Sequence, residues 1–362
     1  MVLYNIYKNK RVLITGNTGF KGAWLSIWLN KLGAKVIGYS LESSTSPSMF
    51  HTCKLDEKIH TIIGDVRDET GLINVFKEYR PDIVFHLAAQ PLVRYSYKSP
   101  RETYETNVMG TVNVLEAAKS IDNVKAVVVV TTDKCYENKE WVYGYREKDP
   151  IGGYDPYSSS KGCAELVVSS YRNSFYNERG IALASARAGN VIGGGDWAED
   201  RLIPDFVRSV LEDKSIIIRN PLATRPWQHV LEPLSGYLWL AALMLKDRER
   251  YSSAWNFGPR DTDVLSVEQI LKIAIDSWGK GSVELDKSYN PHEANLLKLD
   301  ISKANSYLKW NSVYDVDRSI DRTISWYKAY YENKNENMYE YTLEQIEEYE
   351  QNAKIKNLMW SE

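Results

Sequence analysis

The stretch RVLITGNTGFKGAWLSIWLNKLG, residues 11–33, decides the fold. Residues 11–15 are an aliphatic run of strand type. Beyond Gly22, the spacing puts Trp24, Leu25, Trp28, Leu29 and Leu32 on one side of a helix that Gly33 can end in the left-handed conformation. Between the two lies Gly16-Asn17-Thr18-Gly19-Phe20-Lys21-Gly22, which after Thr15 makes a TGxxGxxG turn. In such a turn the first glycine permits a tight bend, the second lets backbone N–H groups approach a pyrophosphate, and the third allows close helix packing. A second strand at 35–41 begins thirteen residues after Gly22 and completes a βαβ unit. The combination reads as a dinucleotide cradle, with Gly16, Asn17, Thr18, Gly19, Phe20 and Gly22 as its cofactor-binding residues.

Working outward, short β-branched runs at 82–87, 126–131 and 181–187 alternate with helical patterns at 101–119 and 157–177. The run 126–131 contains VVVV, as expected of a strand covered on both faces. The predicted fold is therefore α/β: a Rossmann-type doubly wound parallel sheet over residues 1–190. After residue 190 the texture becomes glycine-rich and acidic, and elements become short. A smaller C-terminal α/β substrate-binding domain is expected over 191–335, with segments of the two able to interleave. Residues 336–362 are read as an acidic C-terminal tail forming a solvated surface helix.

Composition narrows the function. Forty-five Lys and Arg against 48 Asp and Glu give a net charge of −3, which excludes a binder that neutralises many nucleic-acid phosphates. Three cysteines (Cys53, Cys135, Cys163) and five histidines show no CxxC or HExxH spacing, so neither a disulfide framework nor a metal site is expected. The N-terminus lacks an apolar signal core, and the longest uncharged apolar stretch, 233–245, is too short to cross a bilayer. A soluble, unprocessed, cytoplasmic protein with no membrane partner is the expectation.

Tyr157 and Lys161, spaced i and i+4 at a helix start, project together. An ammonium there can lower a phenol's pKa and hold a ribose hydroxyl. At the end of the VVVV strand, Thr132 can share the hydroxyl that Tyr157 deprotonates, while Asp133 and Lys134 offer an acid and a base for a step beyond oxidation. Cys135 has no histidine partner and is read as a neutral neighbour. Asp65 is placed to meet an adenine amine, with Val66 beside it, and Leu87, Ala88 and Ala89 leave room for the cofactor. Ser40 stands where an acid gripping the ribose is common, and no arginine follows it closely, so NAD is favoured over NADP.

Together these residues resemble the extended short-chain dehydrogenase/reductase family, to about residue 330. The Thr132-Asp133-Lys134 triplet, with the segments at 39–50, 87–94, 187–205 and 225–233, is similar to its CDP-glucose 4,6-dehydratase branch. The resemblance implies bound NAD, CDP-glucose as substrate, transient oxidation at C4, loss of water across C5 and C6, and a place in deoxysugar biosynthesis for lipopolysaccharide O-antigen. It adds Asn107 to the cofactor residues and Gln90, Asn190, Arg201, Arg225 and His292 to the substrate residues. It also implies a homodimer or homotetramer assembled through helices 101–119 and 157–177, with Val108, Val112 and Leu115 as an apolar stripe. A sugar-nucleotide 4-epimerase, or a dehydratase of another nucleotide sugar, is the alternative. A non-catalytic NAD-binding regulator predicts loss of the tyrosine or lysine, and both are present.

Overall fold

The computed structural model describes residues 2–218, 220–286, 296–333 and 336–362. Six strands come first: β1 (Arg11–Thr15), β2 (Lys35–Ser40), β3 (His60–Ile63), β4 (Ile83–His86), β5 (Ala126–Thr132) and β6 (Ala182–Ala188). They are followed by β7 (Asn190–Ile192), β8 (Ile216–Ile218), β9 (Thr224–His229), β10 (Ala254–Phe257), β11 (Val264–Ser266) and β12 (Val283–Leu285). Seven of these form one all-parallel sheet in the order β10-β6-β5-β4-β1-β2-β3. The aliphatic runs explain its middle. Leu13, Val84, Val127 and Val129 enter one core, while Val12, Ile14, Phe85, Val128 and Val130 enter the core on the opposite face. A strand buried on both sides can carry no polar alternation, which is why 127–130 read as four valines. The predicted Rossmann-type α/β class is what the structure shows.

Strand order reverses at β1 and β4, so a crevice opens beyond their carboxyl ends, where Thr15 leads into the glycine turn and His86 into Leu87. The helix of the turn spans Phe20–Lys31, and Gly33 follows with φ of 73°. The predicted helices near 101–119 and 157–177 are present, each containing a π-type turn, at Glu105–Met109 and Arg172–Tyr176.

Beyond β6, strands β7, β9 and β11 make a three-stranded sheet, and β8 pairs with β12. β10 then returns to the large sheet beside β6, crossing the division drawn at residue 190. Residues Met338–Ile355 are helical, but this segment is not solvated all round. Met338, Thr342, Ile346, Tyr349 and Ala353 are buried, while Glu340, Glu344 and Glu347 face outward. Its Glu350 accepts hydrogen bonds from the Trp28 indole and Lys31, both at 2.8 Å, and Trp360 packs edge-on against Trp28. Among the described residues, no helix is long and apolar enough to cross a membrane, and no cluster of side chains could hold a metal ion.

Candidate active site

The glycine turn has three different reasons for its three glycines. Gly16 has φ of 80°, and a Cβ there would lie 2.7 Å from the Ala88 nitrogen, so the turn is pressed onto the end of β4. A Cβ on Gly22 would lie 2.1 Å from the Gly16 oxygen, because the helix starts directly against the turn. Gly19 is different. Its backbone is extended (φ −77°, ψ 164°), and a Cβ would meet only the Gly16 oxygen at 3.4 Å. Nothing in the protein demands glycine at 19. The space above it borders the first turn of the Phe20–Lys31 helix, whose N-cap makes no side-chain hydrogen bond. An open cradle of backbone donors at a helix start fits a dinucleotide pyrophosphate. Thr18 Oγ1 bonds Ser40 at 2.7 Å and the Leu41 carbonyl at 2.8 Å, and Asn17 donates to Thr61 at 2.9 Å while its buried Oδ1 has no partner. Asp65 is engaged by Arg67, whose Nε lies 2.9 Å away, and Val66 is buried against Gly110. Leu87, Ala88 and Ala89 are half-buried at the end of β4.

The structure brings Thr132, Asp133, Tyr157 and Lys161 together. Thr132 ends β5 and caps the short 3₁₀ turn Asp133–Cys135; its hydroxyl donates to Asp133 Oδ1 at 2.8 Å and accepts the Lys134 amide. Asp133 is 2% exposed, and Lys134 Nζ lies 3.6 Å from its Oδ1 with a third of its side chain exposed. Tyr157 and Lys161 occupy the first two turns of Pro156–Tyr171, a helix capped by Asp155 with proline in its first turn. Burial pushes the Tyr157 phenol up to about 12, with the Asp133 charge acting the same way and the adjacent Thr132 hydroxyl and the charge of Arg201 opposing. The sequence argument had Lys161 lowering this group. In the structure, burial outweighs its neighbours, and Arg201 is the cation that acts on it. Burial also draws Lys161 down to about 8, with Glu165 opposing. The Cys135 thiol is buried and held well above its ordinary pKa, so it stays neutral as expected.

The substrate candidates divide. Arg201 bonds Asp196 Oδ2 at 2.7 Å, and its charge favours the Tyr157 phenolate. Asn190 begins β7, opposite Trp227 of β9. Arg225 lies on β9 next to Pro226; a Cβ on Gly189 would be 3.6 Å from that proline and 3.0 Å from Asp133. Gln90 and Asn107 turn away from open space. The Gln90 amide is spent on Leu92 and Thr103. Asn107, 1% exposed, binds both backbone groups of Gln90 and the Ser160 hydroxyl, tying the loop after β4 to the Tyr157 helix. His292 lies outside the described residues.

Two site residues escaped the sequence reading. Lys21 sits one turn before Trp24, whose indole donates to the Gly194 carbonyl at 2.9 Å, so this helix face looks onto the loop carrying Asp196 and Arg201. Burial, then the charges of Arg201 and Lys161, bring the Lys21 amine down to about 7, with Asp133 and Asp196 opposing. A lysine inside the glycine motif was the available signal for Lys21. Asp196, from the GGGDW run, is the buried partner of Arg201.

Known proteins match this arrangement throughout. A family model described as GDP-mannose 4,6 dehydratase matches residues 13–323. A CDP-glucose 4,6-dehydratase of Salmonella typhimurium is 54% identical over 336 residues, covering 91% of this chain and 94% of that protein. A dTDP-D-glucose 4,6-dehydratase of Dictyostelium discoideum is 26% identical, covering 91% and 85%. Among solved structures, an epimerase of Methanothermobacter thermautotrophicus is similar with a TM-score of 0.80 and 26% identity, covering 92% of this chain and 96% of that one. The resemblance carried by the glycine turn, Tyr157, Lys161 and the Thr132-Asp133-Lys134 triplet is borne out: the chain belongs to the GDP-mannose 4,6-dehydratase family, among the epimerases and dehydratases of the extended short-chain dehydrogenase/reductases.

Proposed function

We propose that this protein is an NAD-dependent CDP-glucose 4,6-dehydratase, a hydro-lyase converting CDP-glucose to CDP-4-dehydro-6-deoxyglucose and water. The observation that carries this reading is Asp133. A 4-epimerase needs only the tyrosine, the lysine and a hydroxyl, whereas here a buried carboxyl paired with Lys134 accepts from the Thr132 hydroxyl next to Tyr157. The substrate base follows from the 54% identity to the Salmonella enzyme.

NAD, when bound, supplies reversible two-electron chemistry, taken up at one sugar carbon and returned at another. The turn at 16–22 would hold its pyrophosphate, and Lys161 a ribose hydroxyl. Tyr157 takes the O4 proton of the sugar, helped by Thr132 and by the charge of Arg201. The resulting ketone acidifies C5; Lys134 takes the C5 proton and Asp133 protonates the departing C6 hydroxyl. Burial of Asp133 removes competing water from that oxygen and fixes it toward the Thr132 hydroxyl. Residues 1–190 hold the dinucleotide in this reading and 191–335 the sugar nucleotide, with Arg201 and Arg225 facing its diphosphate.

The test separates the two chemistries. Tyr157→Phe is expected to suppress C4 oxidation itself. Asp133→Asn should leave oxidation intact and stall before water loss, so that reduced-dinucleotide absorbance rises on mixing with CDP-glucose while product formation falls roughly 10²- to 10⁴-fold. Lys134→Met should cut deuterium uptake from solvent at C5. Full dehydratase turnover by both Asp133→Asn and Lys134→Met would reduce the pair to a structural ion pair with no part in the water loss.

We also propose a homodimer built on the helices at 100–119 and 156–176. Leu115 packs into the core instead of outward, so the apolar stripe differs from the expected one: Tyr104, Met109, Leu166 and Phe175 are the exposed apolar residues there, with Val108 and Val112 half-buried. Light scattering showing only a 41.6 kDa species at micromolar concentration would exclude this assembly. Three free thiols, two of them buried, suit a reducing cytoplasm.

A further inference from the structure

One helical turn beyond Lys161, the same helix buries a second ionisable residue, Glu165, and β6 supplies its partner, Arg187. Both side chains are under 5% exposed, with Arg187 Nη2 2.6 Å from Glu165 Oε2. Glu165 also accepts from the hydroxyls of Thr131 and Ser185. The other arm of Arg187 reaches the Tyr136 hydroxyl at 2.6 Å, and Tyr136 donates onward to Asn256 of β10 at 2.7 Å. One ion pair thus grips the residue before the Thr132–Lys134 segment, a residue just after it, and the helix carrying Lys161. None of these side chains has a part in the proposed chemistry. Stability explains them poorly, since a buried ion pair seldom outperforms apolar residues of similar volume, and the residues flanking Arg187 along its own strand are alanines.

We propose that the Glu165–Arg187 pair is a positioning device for the dehydration, holding the Thr132–Lys134 turn in register with Lys161 and presenting a buried anion one turn from that lysine. The proposal rests on the reading of Lys161 as the active-site lysine. Around Lys161 the titratable groups are Glu165 and Tyr157 on its own helix, Asp133, Lys134 and Cys135 on the turn, His86 at the end of β4 and Lys21 on the Phe20 helix. Burial keeps the Cys135 thiol protonated, opposes the Tyr157 phenolate that takes up the O4 proton, and pushes the His86 imidazole down to about 3. Lys21 brings positive charge. Of these, Glu165 acts most strongly in favour of the charged lysine, and its carboxyl stays ionised: burial opposes this, but the charge and hydrogen bond of Arg187 prevail.

Glu165→Gln keeps the shape and removes the charge. Turnover of CDP-glucose should fall by about 10²-fold, the cost of misplacing reacting groups by an ångström, with KM within about twofold. The alkaline limb of the kcat profile, set by Lys161 near 8, should move down by roughly one pH unit, the effect of losing one opposite charge nearby. Glu165→Asp should restore the limb. Should Glu165→Gln melt out at assay temperature, the double variant Glu165→Gln/Arg187→Met, which leaves neither charge alone, carries the same expected loss of kcat, with a smaller movement of the limb because a cation is removed with the anion. Tyr136→Phe cuts the link from Arg187 to the turn and the bond to Asn256 while leaving the Glu165–Arg187 pair, and should lower kcat several-fold with the limb in place. An unmoved limb and a kcat within twofold of wild type in the folded charge-removing variant would overturn the proposal, as would wild-type kcat in Tyr136→Phe. Wild-type protein run alongside separates the two readings. If it makes no 4-keto-6-deoxy product from CDP-glucose, the function is wrong; if it does and the variants are unaffected, only the positioning role is.

Discussion

Two glycine-rich loops face each other across the site, 16–22 and 189–195, and their glycines answer to different demands. Over Gly19 there is open space, so its lack of a side chain serves something outside the chain. In the second loop a Cβ on Gly194 would lie 2.1 Å from the Trp326 ring, and one on Gly195 2.3 Å from the Met49 sulfur. Those glycines serve packing against side chains far away in sequence. A glycine run marks a ligand site only where the space above it is open, and sequence alone cannot distinguish the two.

The comparison can be broken most directly at its two extremes. Gly19→Val is expected to leave the melting midpoint unchanged while weakening NAD; an overpacking cost of ~1–3 kcal/mol corresponds to roughly 5- to 100-fold at ~1.4 kcal/mol per decade. Calorimetric titration with NAD would measure it, and unchanged affinity would remove the cradle assignment. Arg201→Gln, on the far side, should weaken substrate binding and, by removing the charge that favours the Tyr157 phenolate, also lower kcat. Losing a hydrogen bond to a charged group costs about 1.5–3 kcal/mol, so KM for CDP-glucose should rise roughly 10- to 100-fold with NAD affinity retained. Gly194→Ala reverses the pattern of Gly19, since the indole of Trp326 is buried and hydrogen-bonded to Thr342 at 2.9 Å. Stability should fall by about 1–3 kcal/mol, read as a lower melting midpoint, with NAD affinity in the surviving folded protein near normal. The mildest effect is that of pH. Lys161 carries its proton below about 8 and loses it above, so wild-type turnover should decline on the alkaline side of that value. In Lys161→Arg, whose guanidinium stays charged, the limb should vanish even at a reduced rate.

How far the sequence could be read follows the same division. β1, β2, β4, β5 and β6 were legible because strands buried on both faces leave uninterrupted aliphatic runs. β3, with the half-exposed sequence HTII, and β10, four residues of AWNF, carry no such run and join the sheet through tertiary pairing. Tyr157, Lys161 and Thr132 were legible because helical spacing and a strand end fix where they project. Gln90 and Asn107 came from the family resemblance instead, and in the structure their amides bond neighbouring loop and helix groups. No spacing rule shows which way an amide turns. Lys21 and Asp196 became site residues only when the Phe20 helix was set against the 194–201 loop, a contact between segments about 170 residues apart, the separation of Trp24 and Gly194.

The helix that begins in the dinucleotide turn is covered on its outer side by the last helix of the structure, with Trp28 bonded to Glu350, 322 positions later. During synthesis on the ribosome, the βαβ unit that binds NAD emerges first and must wait for nearly the whole chain before Trp28 is sheltered. Until then, a hydrophobic flank of an otherwise self-contained unit remains available to chaperones or to other nascent chains. Loss of the final helix by premature termination would leave that flank permanently bare, so the shortened product should be recognised by its stickiness before its lack of activity is ever noticed.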